Sequence, residues 1–344
     1  MNRRGPALSV LMPARNAAPF LAAAVDSILG QTYGDFELIV VDDGSTDATA
    51  ALLADYAGLD RRVRMLAGPP VGVSAALNRA AAAAAAPILV RMDADDVSLP
   101  GRFRCQRDYL DRHPEVGVVG SAFAVIDAGG RRLLGRRPPT DDAAIRRHLL
   151  AGESVVAHPS VAMRADLFKR AGGYRSTFPA AQDLDLWLRL LPNTRFANLP
   201  DELLLYRLHP GTVSLCRMEE QALAAVAARL CHRARTAGRP DPLGDDLPPS
   251  RAVLLANGLD AADLDRMVVG RAFAAALSAE LAGSAEGARA ALAALAAAAG
   301  RPRPTPSALL AFLARLARLA CRGGSRPSTI VRLAISALRL SCRE

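Results

Sequence analysis

The feature that most constrains this chain is the regular alternation of short apolar runs with amphipathic, alanine-rich stretches over its first 100 residues. Runs at 7–12, 36–41, 63–66 and 87–92 read as strands, and the stretches 19–29, 48–57 and 73–86 read as helices. Strand–helix alternation predicts an α/β fold with a mostly parallel sheet flanked by helices. In such sheets ligands bind beyond the carboxyl ends of the strands. Two acidic clusters fall at such ends: Asp42-Asp43 after the second run, and Asp93, Asp95 and Asp96 after the fourth. This topology allows them to share one rim.

Further along, 128–142 is rich in Gly, Arg and Pro and reads as a loop carrying Arg131, Arg132, Arg136 and Arg137. A strand is expected near 155–163, and helices over 165–171 and 182–191. From about 219 the pattern becomes Ala/Leu/Arg helices broken at 238–249 and 300–306, with 255–299 resembling a helical hairpin.

Charge divides the chain differently. The 344 residues carry 43 Lys+Arg against 34 Asp+Glu, a net charge of +9, but the last 44 residues alone hold nine Arg and one acid, Glu344. A neutral body with a basic tail is not the even basicity of a nucleic-acid binder. Within that tail, Leu309, Leu310, Phe312, Leu313, Leu316 and Leu319 share one helical arc opposite Arg315, Arg318 and Arg322. Residues 304–344 therefore read either as a basic amphipathic segment for an anionic membrane surface or as apolar faces packed on protein. Five scattered cysteines without a C-x-x-C pair exclude a disulfide framework and fit a reducing compartment. No run is long and apolar enough to span a bilayer. These features predict a cytoplasmic protein, with a peripheral position at the inner face of the plasma membrane if the tail binds lipid.

The two clusters suggest their chemistry. A carboxylate at 42–43 accepts hydrogen bonds from a nucleobase imide or a ribose hydroxyl, or else caps a helix turn. Two carboxylates two residues apart, Asp93 and Asp95, offer the hard oxygen ligands that Mg²⁺ or Mn²⁺ takes together with substrate phosphates.

Taken together the motifs resemble glycosyltransferase family 2. They are Leu8-Ser9-Val10-Leu11-Met12-Pro13-Ala14-Arg15-Asn16, Ser27-Ile28-Leu29-Gly30-Gln31-Thr32-Tyr33, Phe36–Asp47 with its Asp-Asp-Gly-Ser centre, Gly72–Asn78, and Met92-Asp93-Ala94-Asp95-Asp96. Gly172-Gly173-Tyr174, Gln182–Arg189 and Tyr206–Pro210 continue the likeness, which covers about residues 6–215. The resemblance implies a GT-A fold over 1–218, with nucleotide-sugar binding in about 1–100 and the acceptor side in about 101–218. Residues 219–344 form a helical extension beyond it. It also implies a nucleoside-diphosphate sugar donor, with UDP favoured, a divalent cation, and inversion at the anomeric carbon. The acceptor would be a polysaccharide, a lipid-linked saccharide or a glycoprotein, with no nucleic-acid partner.

Carried onto this sequence, the resemblance places Asp43 at the nucleobase with the Pro13 and Ala14 backbone, Asp93 at the ribose, and Asp95 on the cation. Asp183 becomes the general base. Arg207 would close over the diphosphate, and His209 is expected beside it as a further metal ligand. Gln182, Trp187 and His158 are acceptor-side candidates, with core packing the favoured alternative for Trp187 and a hydrogen-bonded structural role equally open for His158. Two positions depart from the family pattern: Gln182 stands where Glu is common, and Leu77 where an Arg is frequent. A sugar-phosphate nucleotidyltransferase would share the α/β plan, but Pro13–Asn16 supplies no Gly-rich phosphate loop. A nucleotide-sugar-binding protein without catalysis is the third reading.

Overall fold

In the computed structural model, residues 5–209, 211–212, 217–244 and 247–268 are described. The basic tail 304–344 and most of the expected hairpin 255–299 lie outside them. The protein forms two units: one comprises residues up to 124, 136–207 and 224–249, and the other 125–135, 208–223 and the residues from 250.

In the first unit, β1 (Leu8–Ala14) lies between β2 (Phe36–Asp43) and β4 (Ile88–Arg91), and β3 (Val63–Gly68) flanks β2, all parallel. β1, β2 and β4 are mostly apolar because both faces are covered, and every residue of β2 is buried, whereas β3 at the edge is partly exposed. Helix α1 (Ala18–Leu29) buries Leu21, Ala24, Val25 and Ile28, the i, i+3, i+4, i+7 stripe that a helix packed on a sheet presents. That stripe joins Val10, Met12, Leu38, Val40 and Val90 in one core. Helices α2 (Thr49–Leu59) and α3 (Val73–Ala83) complete the crossovers.

Beyond β4 the sheet changes character. The strand order is β3-β2-β1-β4-β8-β6-β9-β5, where β5 is Val97–Ser98, β6 Val116–Ile126, β8 Ala162–Arg164 and β9 Arg195–Arg207. β8 runs antiparallel to both β4 and β6, and β5 antiparallel to β9. The parallel arrangement thus belongs to the half carrying the acidic clusters. Helix α4 (Arg102–Arg112) and strand β6 occupy a stretch to which the sequence reading assigns no element.

Two local expectations are corrected. The loop 128–142 contains a strand, β7 (Arg132–Arg136), because Asp127 turns the chain: its backbone N–H donates to Arg131 O at 3.0 Å and its Oδ1 accepts the Arg131 N–H at 2.9 Å. Gly130 supplies the positive φ of 86° that this turn needs. Arg131 itself pairs with Asp127 Oδ2 at 2.9 Å. The strand near 155–163 shrinks to Ala162–Arg164, since His158–Ser160 form a 3₁₀ turn in which the Ser160 hydroxyl donates to Ala157 O at 2.7 Å. Pro159 in that turn has no N–H to give to a ladder. Helix α5 (Asp142–Ala151) precedes this turn, and α6 (Ala165–Arg170), α7 (Gln182–Leu190), α8 (Met218–Thr236) and α9 (Arg251–Ala256) follow it. Among the described residues no helix is long and apolar enough to cross a membrane.

Candidate active site

Strand register fixes the rim. Ala14 of β1 stands opposite Asp42, Asp43 opposite Gly68, and Leu11 opposite Arg91, so the chain leaving β4 reaches the level of Ala14 at the 93–95 turn. Both acidic clusters therefore lie at the same carboxyl edge.

The first cluster is largely used to build that edge. Asp42 Oδ1 accepts the Ser45 N–H at 3.1 Å, which closes the turn. Asp43 accepts the Val71 N–H at 2.6 Å on Oδ1 and the Gly72 N–H at 3.0 Å on Oδ2, clamping the loop before α3. Gly44 at φ +72° is required between them and the next turn, because a Cβ there would stand 2.7 Å from Pro70 Cδ. Ser45 Oγ accepts the Asn16 N–H at 3.0 Å, and Asn16 Oδ1 accepts the Thr46 N–H at 2.8 Å. Pro13 and Ala14 end β1 beside this turn, Pro13 half-buried and Ala14 buried. Each Asp43 oxygen keeps a second lone pair for a ligand.

The second cluster has the geometry of a cation site. Ligand oxygens of Asp93, Asp95 and Asp96 all lie within 4.8 Å of one another. Asp96 is 1% exposed; its Oδ1 accepts the Arg207 N–H at 2.8 Å, while its Oδ2 is buried with no hydrogen-bond partner. Arg207 also gives its Nε–H to Asp95 O at 2.8 Å and lies 5.1 Å above the Phe20 ring. Burial pushes the Asp93 carboxyl up, Arg91 opposes this, and Asp95 and Asp183 add to it. Burial and the charges of Asp95 and Asp93 push Asp96 well above the ordinary carboxylate range. An orphaned buried carboxylate oxygen among three clustered acids is a donor set that fits a hard divalent cation.

Asp183 sits in the first turn of α7, half-buried, and accepts from the Ser154 hydroxyl on Oδ2 at 3.3 Å. Its charge acts on both Asp93 and Tyr174, which puts it within electrostatic reach of the acidic cluster. Ala181, just before it, adopts a left-handed φ of 50°, a conformation a Cβ-bearing residue adopts at a cost of order 1–3 kcal/mol. Gln182 is buried at the start of the helix.

The Gly-Gly-Tyr and Asn78 motifs work as a lock behind this helix. Asn78 donates to Tyr174 O at 2.7 Å and accepts the Tyr174 N–H at 2.9 Å. A Cβ on Gly173 would meet Asn78 Oδ1 at 2.7 Å. Arg189 joins Gly173 O at 2.7 Å to Asp185 Oδ2 at 2.9 Å. Leu77, where the family pattern has Arg, is fully buried on α3.

Three further candidates have the following surroundings. Trp187 is 0% exposed, edge-on to Phe196 and His158 at 6.1 Å ring separations, so its acceptor-side assignment is replaced by core packing. Burial of a ring this size, worth about 3–5 kcal/mol against Ala, explains the position. His158 is buried, 2.7 Å from the Tyr174 hydroxyl, and burial with the nearby Arg91 charge holds it well below its usual pKa. Its Nε2 and the Tyr174 hydroxyl form one buried hydrogen bond, which is the structural role for this histidine. His209 belongs to the second unit, where its N–H donates to Thr212 Oγ1 at 3.0 Å and its Nδ1 accepts the Gly211 N–H at 3.2 Å. Sequence reasoning puts Asp96 in the acidic cluster without a ligand role, and assigns no role to Arg91, which pairs with Asp93, or to Ser154, which meets Asp183. An arginine inside an otherwise apolar strand was the available signal for Arg91.

Comparison with known proteins decides the family. The profile described as Glycosyl transferase family 2 matches residues 9–172. The Escherichia coli O-antigen biosynthesis glycosyltransferase WbnJ is 32% identical over 233 residues, covering 67% of this chain and 90% of WbnJ. The chain belongs to glycosyltransferase family 2. Also similar to this transferase is the amylovoran biosynthesis glycosyltransferase AmsE of Erwinia amylovora, 31% identical over 54% of this chain and 70% of AmsE. The fold is that of solved GT-A transferases. The mannosyltransferase PcManGT of Pyrobaculum calidifontis, solved with GDP-Man and Mn²⁺, superposes with TM-score 0.51 at 20% identity over 98% of this chain and 88% of its own. S. aureus TarS 1-349, solved with UDP-GlcNAc, superposes with TM-score 0.51 at 18% identity over 85% and 81%.

Proposed function

We propose that this transferase moves a sugar from a nucleoside-diphosphate sugar, UDP-sugars favoured, onto a hydroxyl of a growing surface polysaccharide or lipid-linked saccharide, with inversion and with a divalent cation. The observation that carries the reading is the cluster of three carboxylates at the sheet's carboxyl edge, with the charge of Asp183 acting on its Asp93. The O-antigen and amylovoran roles in the names of the two relatives support the acceptor class.

Asp43 and the ends of β1 hold the nucleobase, Asp93 meets the ribose, and Asp95 with the orphaned Asp96 oxygen holds the cation. When bound, that cation supplies positive charge to the departing diphosphate. Asp183 takes the proton of the acceptor hydroxyl as its oxygen bonds the anomeric carbon. The bond from that carbon to the diphosphate oxygen breaks on the opposite face, and its electron pair leaves with the nucleoside diphosphate. One carboxylate accepting one proton suffices for such a single displacement, and general-base help of this kind is worth about 10²–10⁴-fold. Arg207 steadies the cluster through Asp95 and Asp96.

Thermal-shift measurements across nucleotide sugars, with and without Mn²⁺, test the reading, because a ligand that binds only the native state raises the midpoint. A shift with a UDP-sugar that disappears on chelation is expected. No shift with any nucleotide sugar, with Mn²⁺ present, would overturn it.

A further inference from the structure

Arg91 has no place in the chemistry described so far. It is the last residue of β4, its side chain is 6% exposed, and it is ion-paired to Asp93 Oδ2. Its backbone is pinned too: the N–H donates to Val161 O at 2.9 Å and the carbonyl accepts from Arg102 Nη2 at 2.7 Å. Its Nε and Nη1 are both buried with no hydrogen-bond partner, so Nη1 meets Asp93 through its charge. Tyr174, hydrogen-bonded to His158, and Asp96 lie within reach of its charge. A buried guanidinium in an apolar strand costs desolvation and is retained only where it is paired.

Resting on the reading of the cluster as the donor site, we propose that Arg91 is a positioning residue that divides labour among the three acids. Arg91 holds one oxygen of Asp93 by its charge, leaving the other oxygen to meet the donor's ribose. The Arg207 N–H commits one oxygen of Asp96 through a hydrogen bond. Asp95 is left as the carboxylate in the cluster best able to meet a cation directly. Without Arg91, Asp93 would lose the partner that orients it, and the nucleoside would lose its preset acceptor.

The test compares Arg91→Met, Arg91→Lys and Asp95→Asn with wild type by calorimetric titration. The probes are Mn²⁺ alone, and UDP and GDP in the presence of Mn²⁺; circular dichroism confirms folding. The inference predicts that Arg91→Met weakens the nucleotide bound by wild type about tenfold or more while Mn²⁺ affinity stays within about threefold, and that Arg91→Lys recovers part of the loss. In turnover, donor KM rises more than kcat falls. If Arg91→Met does not fold, Arg91→Lys alone carries the test, with a smaller nucleotide loss at constant Mn²⁺ affinity. Nucleotide affinity unchanged in the folded Arg91 variants, with Asp95→Asn losing Mn²⁺, would overturn this inference and leave the donor-site reading standing. Wild type binding neither nucleotide would defeat both.

Discussion

Glu37 keeps its charge inside the sheet because three donors meet it. Oε1 accepts the Ser9 hydroxyl at 2.7 Å and the Ala85 N–H at 2.8 Å, and Arg64 pairs with Oε2. Burial pushes its carboxyl up, but the Ala85 N–H, Ser9 and Arg64 together hold it below the usual glutamate value. A depressed folded-state pKa gives stability that is present above the unfolded value, about pH 4.3, and is lost as pH falls through the folded value. Glu37→Gln should therefore cost about 1–3 kcal/mol at pH 7 and make stability fall less steeply below about pH 4. Urea unfolding at both pH values checks this; parallel pH dependences would contradict it. At this scale the sequence is ambiguous by nature. Asp42, Asp43, Ser45 and Asn78 stand in motifs that resemble a donor site, yet each holds backbone. Residue type alone does not tell a ligand contact from a clamp, since both need the same acceptor.

At the scale of elements, one residue starts two helices. Asp47 accepts the Ala18 N–H of α1 on Oδ2 at 3.2 Å and the Thr49 N–H of α2 on Oδ1 at 3.0 Å, and Thr49 Oγ1 accepts the Ala17 N–H at 2.8 Å. Asp47→Ala should cost about 1–2 kcal/mol, while Asp47→Asn should cost less. Thermal melts of the two variants measure this, and equal melting points for wild type and Asp47→Ala would count against the capping role. The first four strands and three helices are legible in the sequence because burial on both faces writes uninterrupted apolar runs and one-sided packing writes a helical stripe. The antiparallel half is less so. β8 is three residues long, set by the 3₁₀ turn at Pro159, and β7 depends on the Asp127 turn rather than on apolar pattern. Pairing across such distances in sequence leaves no local periodicity to read.

For the whole molecule, the side chains that share the sheet's carboxyl rim decide the chemistry. The parallel topology legible in the sequence allows 42–43 and 93–96 to share that rim, and the strand register places them there. The position of Asp183 depends on α7, held behind the rim by Arg189, Asp185, Asn78 and the Gly172-Gly173-Tyr174 turn. No sequence pattern predicts that closure; the fold makes it.

Replacing Asp183 by Asn, which keeps shape and removes the proton acceptor, tests this most directly. Turnover with the UDP-sugar that stabilises wild type should fall by about 10²–10⁴-fold, with Mn²⁺-dependent nucleotide affinity held within about threefold. Turnover persisting at the wild-type rate would mean that the acceptor's proton goes elsewhere, and the account of the rim as a single reaction centre would be wrong.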